Sequence, residues 1–76
     1  MNNLYIIHNI LTIYTHGMAV ISAPSLKRCR ELFAEDFGGF EKCMRDYDSA
    51  IEDGAYQCHE NVNIPEGLLS YVYGGS

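Results

Sequence analysis

The sequence predicts an α+β domain with element order ββααββ, in which an antiparallel four-stranded sheet carries its helices on one face. Three observations lead there. A β-branched and aromatic run near the N-terminus breaks at His16-Gly17 and is followed by a second short run. After Pro24-Ser25 the apolar period changes from two to about 3.6. Beyond Asp53-Gly54, two more short apolar and aromatic runs complete the pattern.

Leu4 to Ile13 is rich in Ile, Tyr, Leu and Thr, types that suit a half-buried pleated surface, and reads as the first strand. Its alternation sets Leu4, Ile6, His8 and Ile10 on one side and Tyr5, Ile7, Asn9 and Leu11 on the other. Both sides are largely apolar, as in a strand covered on both faces or set in a subunit interface. His16-Gly17 turns the chain, and Met18 to Ala23 returns as the antiparallel partner of a hairpin. Ser25 is placed to cap a helix whose apolar residues Leu26, Cys29, Leu32, Phe33 and Phe37 follow helical spacing until Gly38-Gly39 ends it. A second helix from Phe40 to about Ile51 aligns Phe40, Cys43, Met44, Tyr47 and Ile51 in one stripe. Ala55 to Val62 is the third strand, Ile64-Pro65-Glu66-Gly67 a turn, and Leu68 to Tyr73 the fourth strand, which makes a second hairpin.

With 76 residues the chain forms a single domain spanning 1–76, and 47% hydrophobic against 20% charged residues is a folding composition. A domain of this size buries only roughly 60–65% of the surface its unfolded chain exposes, so a partner or self-association would add usefully to its stability. The formal charge of −5 disfavours direct nucleic-acid binding through phosphate neutralisation. All ten acids follow residue 30, where they face only Lys42 and Arg45. Such a surface either keeps the protein soluble or competes for a basic groove on another protein. The first helix is charged against its dipole, with Lys27, Arg28 and Arg30 in its first turns and Glu31, Glu35 and Asp36 toward its end. Either a Lys27–Glu31 pair one turn apart offsets this, or the basic turn touches something acidic.

The N-terminal apolar stretch is broken by His8, Asn9 and Thr12 and has no preceding Lys or Arg, so neither a signal peptide nor a membrane span is expected. Cys29, Cys43 and Cys58 form neither a disulfide framework nor a paired zinc motif. The adjacent Cys58 and His59 point to opposite faces of a strand, and Cys29 and Cys43 fall on apolar helical stripes. A metal-free, cofactor-free protein with reduced thiols is expected. No Cys–His pair, carboxylate pair or glycine-rich phosphate loop has the spacing of a catalytic motif, so an enzyme is not expected. The aromatic material is more suggestive. In the last strand Leu69, Tyr71 and Tyr73 alternate against Leu68, Ser70 and Val72, and Tyr5 and Tyr14 add to it at the first hairpin. Tyrosine combines apolar area with a wet hydroxyl, so Tyr5, Tyr71 and Tyr73 are expected on the uncovered sheet face as a homodimer interface.

The stretches LYIIHN, MAVISAPSLKRCRELF and IPEGLLSYVYGG resemble, in layout and over most of the chain, the small α+β proteins common in bacteriophages and other mobile elements of bacteria. Small acidic proteins of that kind include inhibitors of host defence, among them anti-CRISPR proteins, which bind an effector complex and block its nucleic-acid site or a conformational step. The resemblance implies a class of action in the bacterial cytoplasm and assigns no residue. Joined to the charge pattern, it yields the expectation of a non-enzymatic inhibitor of a host protein or ribonucleoprotein complex with a basic surface. Its contact residues would be Glu31, Glu35, Asp36, Glu41, Asp46, Asp48, Glu52 and Asp53. The alternatives are a self-associating accessory protein that uses the tyrosine-bearing face, or a small-ligand sponge with a pocket at the dimer interface.

Overall fold

The computed structural model, which describes residues 1–13 and 15–75, has the α+β layout. Strands β1 (Asn2–Ile10) and β2 (Gly17–Ala23) precede helices α1 (Leu26–Phe37) and α2 (Glu41–Glu52), and strands β3 (Tyr56–Val62) and β4 (Gly67–Val72) follow. All strands pair antiparallel in one sheet ordered β3-β1-β2-β4. Helix α1 lies over β2 and touches β4, while α2 lies over β1.

The first hairpin forms, but the second does not. β3 pairs with β1 and β4 with β2, so the last two strands occupy opposite edges of the sheet. Three strand spacings of about 4.8 Å separate those edges, and the five residue steps from Val62 to Gly67 can reach only about 16–18 Å when extended. The connection therefore has to run nearly straight. Pro65 helps, because it restricts the preceding Ile64 to extended backbone, and the stretch read as a turn is a crossing instead. Two side chains pin it to the sheet: Asn2 Nδ2 and Ser22 Oγ each donate to the Ile64 carbonyl, at 2.8 and 3.0 Å.

The core lies between sheet and helices. Tyr5 and Ile7 of β1 and Ala19, Ile21 and Ala23 of β2 meet Cys29, Leu32, Phe33 and Phe37 of α1 and Tyr47 and Ala50 of α2. β1 ends at Ile10 rather than Ile13, because Asn9 and Leu11 take left-handed backbone (φ 60° and 52°) and the register slips between His8 and Ile10. Asn tolerates that conformation well; for Leu11 it is offset by burial of the side chain. The slip turns both Ile10 and Leu11 inward, so Ile10 does not share a face with Leu4 and Ile6 as strict alternation requires. Ser25 caps α1 as expected, its side chain accepting from the Arg28 N–H at 3.2 Å. Phe40 is exposed instead of completing the α2 stripe, since it holds the extended N-cap position ahead of the first turn.

Gly17 marks a close approach of backbones. A β-carbon there would collide with the Val72 carbonyl oxygen and lie 2.8 Å from the Gly74 nitrogen and 3.0 Å from the Ile10 carbonyl oxygen. All three are main-chain atoms and cannot swing aside. Gly17→Ala is expected to lower stability by about 1–3 kcal/mol, the usual cost of overpacking. Urea unfolding tests this; a midpoint equal to that of the parent protein would show that the β2–β4 contact can relax freely.

Candidate functional site

The acids expected to contact a partner are carried on the helices and differ sharply in their surroundings. Arg28 is a hub: its guanidinium lies 3.2 Å from Glu31, 4.0 Å from Glu35 and 2.9 Å from Glu66. Arg30 makes a two-pronged bond to Asp48, Nε to Oδ1 at 2.7 Å and Nη2 to Oδ2 at 2.9 Å, which joins α1 to α2. Lys42 Nζ reaches Asp46 at 2.7 Å and donates to the Thr12 carbonyl at 3.3 Å. Glu31, Glu35, Asp46 and Asp48 are therefore engaged within the molecule. The Arg30 bonds hold the Asp48 carboxyl below the usual carboxylate range, and those from Arg28 to Glu66 and Glu31 raise the Arg28 pKa.

These contacts account for the charge order of α1. Glu31 pairs with Arg28, three residues away, and not with Lys27. The basic first turns reach acids elsewhere in the fold, at Glu66 before β4 and at Asp48 in α2, which compensates an arrangement that the helix dipole disfavours. Both sites are solvent-exposed, so they orient the elements more than they stabilise them.

Among the described residues Asp36, Glu41, Glu52 and Asp53 are exposed and make no ion pair. They fall into two groups. Asp36 and Glu41 flank the turn between the helices, and Glu52 and Asp53 end α2, about 16 Å along its axis from Glu41. The expected eight-residue face thus divides into an internally paired set and two poles of free carboxylates.

The tyrosines are not where alternation set them. Tyr5 is 4% exposed and belongs to the helix-covered core, where Asn3 Nδ2 donates to its hydroxyl at 3.2 Å. It is not part of an interface. The reason is register: Tyr5 pairs with Ile21, and both side chains point under the helices. Tyr71 pairs with Ala19 and also lies on the helix side, because a bulge in β4 between Leu68 and Ser70 resets the alternation. Its ring meets Phe37 edge to face at 5.1 Å, and Tyr73 meets Phe37 at 6.2 Å and Tyr71 at 5.6 Å. Phe37 in turn stacks on Phe33 at 4.7 Å, and Phe33 on Tyr47 at 4.7 Å. Tyr71 and Tyr73 are thus the half-exposed end of an aromatic train running out from the core at the β4 edge. Tyr14 lies outside the described residues.

The sequence did not disclose the groove between the helices. It encloses about 500 Å³ between Leu26, Lys27 and Arg30 of α1 and Tyr47, Asp48 and Ile51 of α2, and the Arg30–Asp48 pair spans it. At its base Tyr47 donates to the Cys29 sulfur at 3.2 Å. Burial, with the Cys29 contact in support, pushes the Tyr47 phenol well up, and burial raises the Cys29 thiol. Neither group is poised to ionise near neutral pH. Cys43 and Cys58 are free thiols like Cys29, half-buried and exposed. Among the described residues no three His, Cys, Asp or Glu side chains converge as a metal site would require, and no helix is long and apolar enough to cross a membrane.

Comparison with family models, with curated proteins and with solved structures found no match for this chain.

Proposed function

We propose that the protein is a non-enzymatic inhibitor of the phage type, whose helical layer docks on a basic surface of a host nucleic-acid-handling or defence complex. One observation carries this reading: Asp36, Glu41, Glu52 and Asp53 remain exposed and unpaired after the fold has used Arg28, Arg30 and Lys42 internally. The Arg28 hub adds to the negative field, since one guanidinium is surrounded by three carboxylates. Free carboxylates at the two ends of α2, with Asp36 of α1 beside the first, can engage cations on a partner without first breaking bonds of their own, and they steer its approach.

The test follows from the pairing. Capture from a bacterial host lysate with mass-spectrometric identification supplies the partner, and affinity is then measured at two ionic strengths. Reversing the unpaired set, with D36K, E41K, E52K and D53K, leaves every intramolecular ion pair in place. It should weaken binding more than tenfold and flatten the salt dependence. Equal affinity for parent and variant, without salt dependence, would reject electrostatic docking.

A further inference from the structure

The two edges of the sheet are built differently, and the difference points to a site of assembly. Strand β3 is a defended edge: it exposes Gln57, His59 and Glu60, and Asn61 holds left-handed backbone (φ 57°) that interrupts the pleat. Strand β4 has a bulge at Leu69 but no charged cover. From Gly67 to Gly75 there is no charged residue and no proline. Four apolar side chains stay half in solvent on both sides of the strand: Leu69 at 46%, Tyr71 at 45%, Val72 at 57% and Tyr73 at 49%. Among the described residues no strand neighbours its outer N–H and C=O groups. An uncharged, apolar, open edge is a template for another strand.

We propose that β4 pairs antiparallel with β4 of a second copy, joining two four-stranded sheets into one of eight strands. Three considerations select a second copy as the occupant. A two-fold pairing sets the strand against itself, and this strand brings no charge to such a pairing, so no like charges meet. A head-to-tail β4–β3 contact would polymerise without closing, and the polar, kinked β3 edge opposes it. The area is also sufficient for a reversible dimer. Tyr71 and Tyr73 each leave roughly 100 Å² outside, about half of a tyrosine. With Leu69, Val72 and the strand backbone, two copies have at most roughly 1,000 Å² to bury, the size of a weak, transient interface. An interface of that size makes the pairing a reversible equilibrium rather than a permanent dimer. It differs from a dimer through the flat sheet face, since it needs only the edge and the end of the aromatic train.

The net charge gives the experiment its discriminating power. Each copy carries −5, so added salt should strengthen the dimer, whereas it would weaken acidic docking on a basic partner. The double substitution L69K and V72K changes two exposed positions and lowers the repulsion between copies, yet sets charges along the edge. Sedimentation of the full chain across the micromolar range should show 8.6 kDa passing to twice that mass. The double variant should raise the dissociation constant at least tenfold. An unchanged near-ultraviolet circular dichroism spectrum confirms that the variant folds, and hydrogen exchange of the parent should show β4 amides gaining protection as concentration rises. A dimer that survives L69K/V72K overturns the proposal. So does a chain monomeric at every concentration, including one whose β4 amides become protected only when an extended segment of another protein is added.

Discussion

Phe33→Ala should leave most of the chain unfolded at 25 °C. Phe33 is fully buried and is the middle ring of the train, stacked at 4.7 Å on Phe37 of its own helix and at 4.7 Å on Tyr47 of α2. Truncating a buried phenylalanine costs about 3–5 kcal/mol, from lost transfer energy and from the cavity left behind. A single core in a domain of 76 residues rarely supplies more than about 3–5 kcal/mol in total, so little or nothing remains. The helices touch each other sparingly, and this ring supplies much of what couples them. Phe33→Leu keeps most of the volume and should cost less than about 1.5 kcal/mol. Circular dichroism during urea unfolding separates the two variants. A cooperative transition for Phe33→Ala within about 1 kcal/mol of the parent would show that the aromatic train is not the joint between helices and sheet.

Stability should fall steeply in alkali. Burial raises the Cys29 thiol and the Tyr47 phenol above their ordinary values of 9.0 and 10.0, and it raises Tyr5 as well. The unfolded chain releases these protons at the ordinary values, whereas the folded protein retains them. Above pH 9.0 for Cys29, and above 10.0 for Tyr47, the unfolded state binds fewer protons than the folded one, so stability decreases as pH rises. The contribution is fully present below those values and is lost toward the raised folded-state values. Each group can remove up to about 1.4 kcal/mol per pH unit. Urea unfolding at a series of pH values measures the slope. Tyr47→Phe removes one titrating group and should make the slope above pH 10 shallower. An unchanged slope in that variant would mean that the phenol ionises without unfolding the protein.

The element types were legible because each has a local cause. Ser25 caps α1 through its own hydroxyl, the apolar spacing after it is helical, and His16-Gly17 interrupts a β-rich run, all within a few residues of chain. The helical face of the core, Cys29, Leu32, Phe33, Phe37 and Tyr47, was legible for the same reason. The β faces were less so. Alternation assumes an unbroken pleat, and bulges at Asn9 and Leu69 reset it, so Ile10 turned inward and Tyr71 fell on the helix side. Both bulges arise where strands accommodate a partner, and local sequence does not encode the partner.

Composition and order of residues by themselves determined the α+β class, the ββααββ succession, the acid-free first thirty residues and the uncharged final strand, since each depends on residues adjacent in the chain. Tertiary structure alone decided which strand lies beside which. β3 and β4 are separated by only four residues and yet end on opposite edges, because the central places beside them are already taken by the β1–β2 hairpin. It also decided which carboxylates are free. Asp48 and Glu52 look alike on the sequence, one turn apart on one helix, but Arg30 reaches the first and leaves the second unpaired. That difference depends on how α1 and α2 sit side by side, a matter of packing across the sheet that no local pattern records.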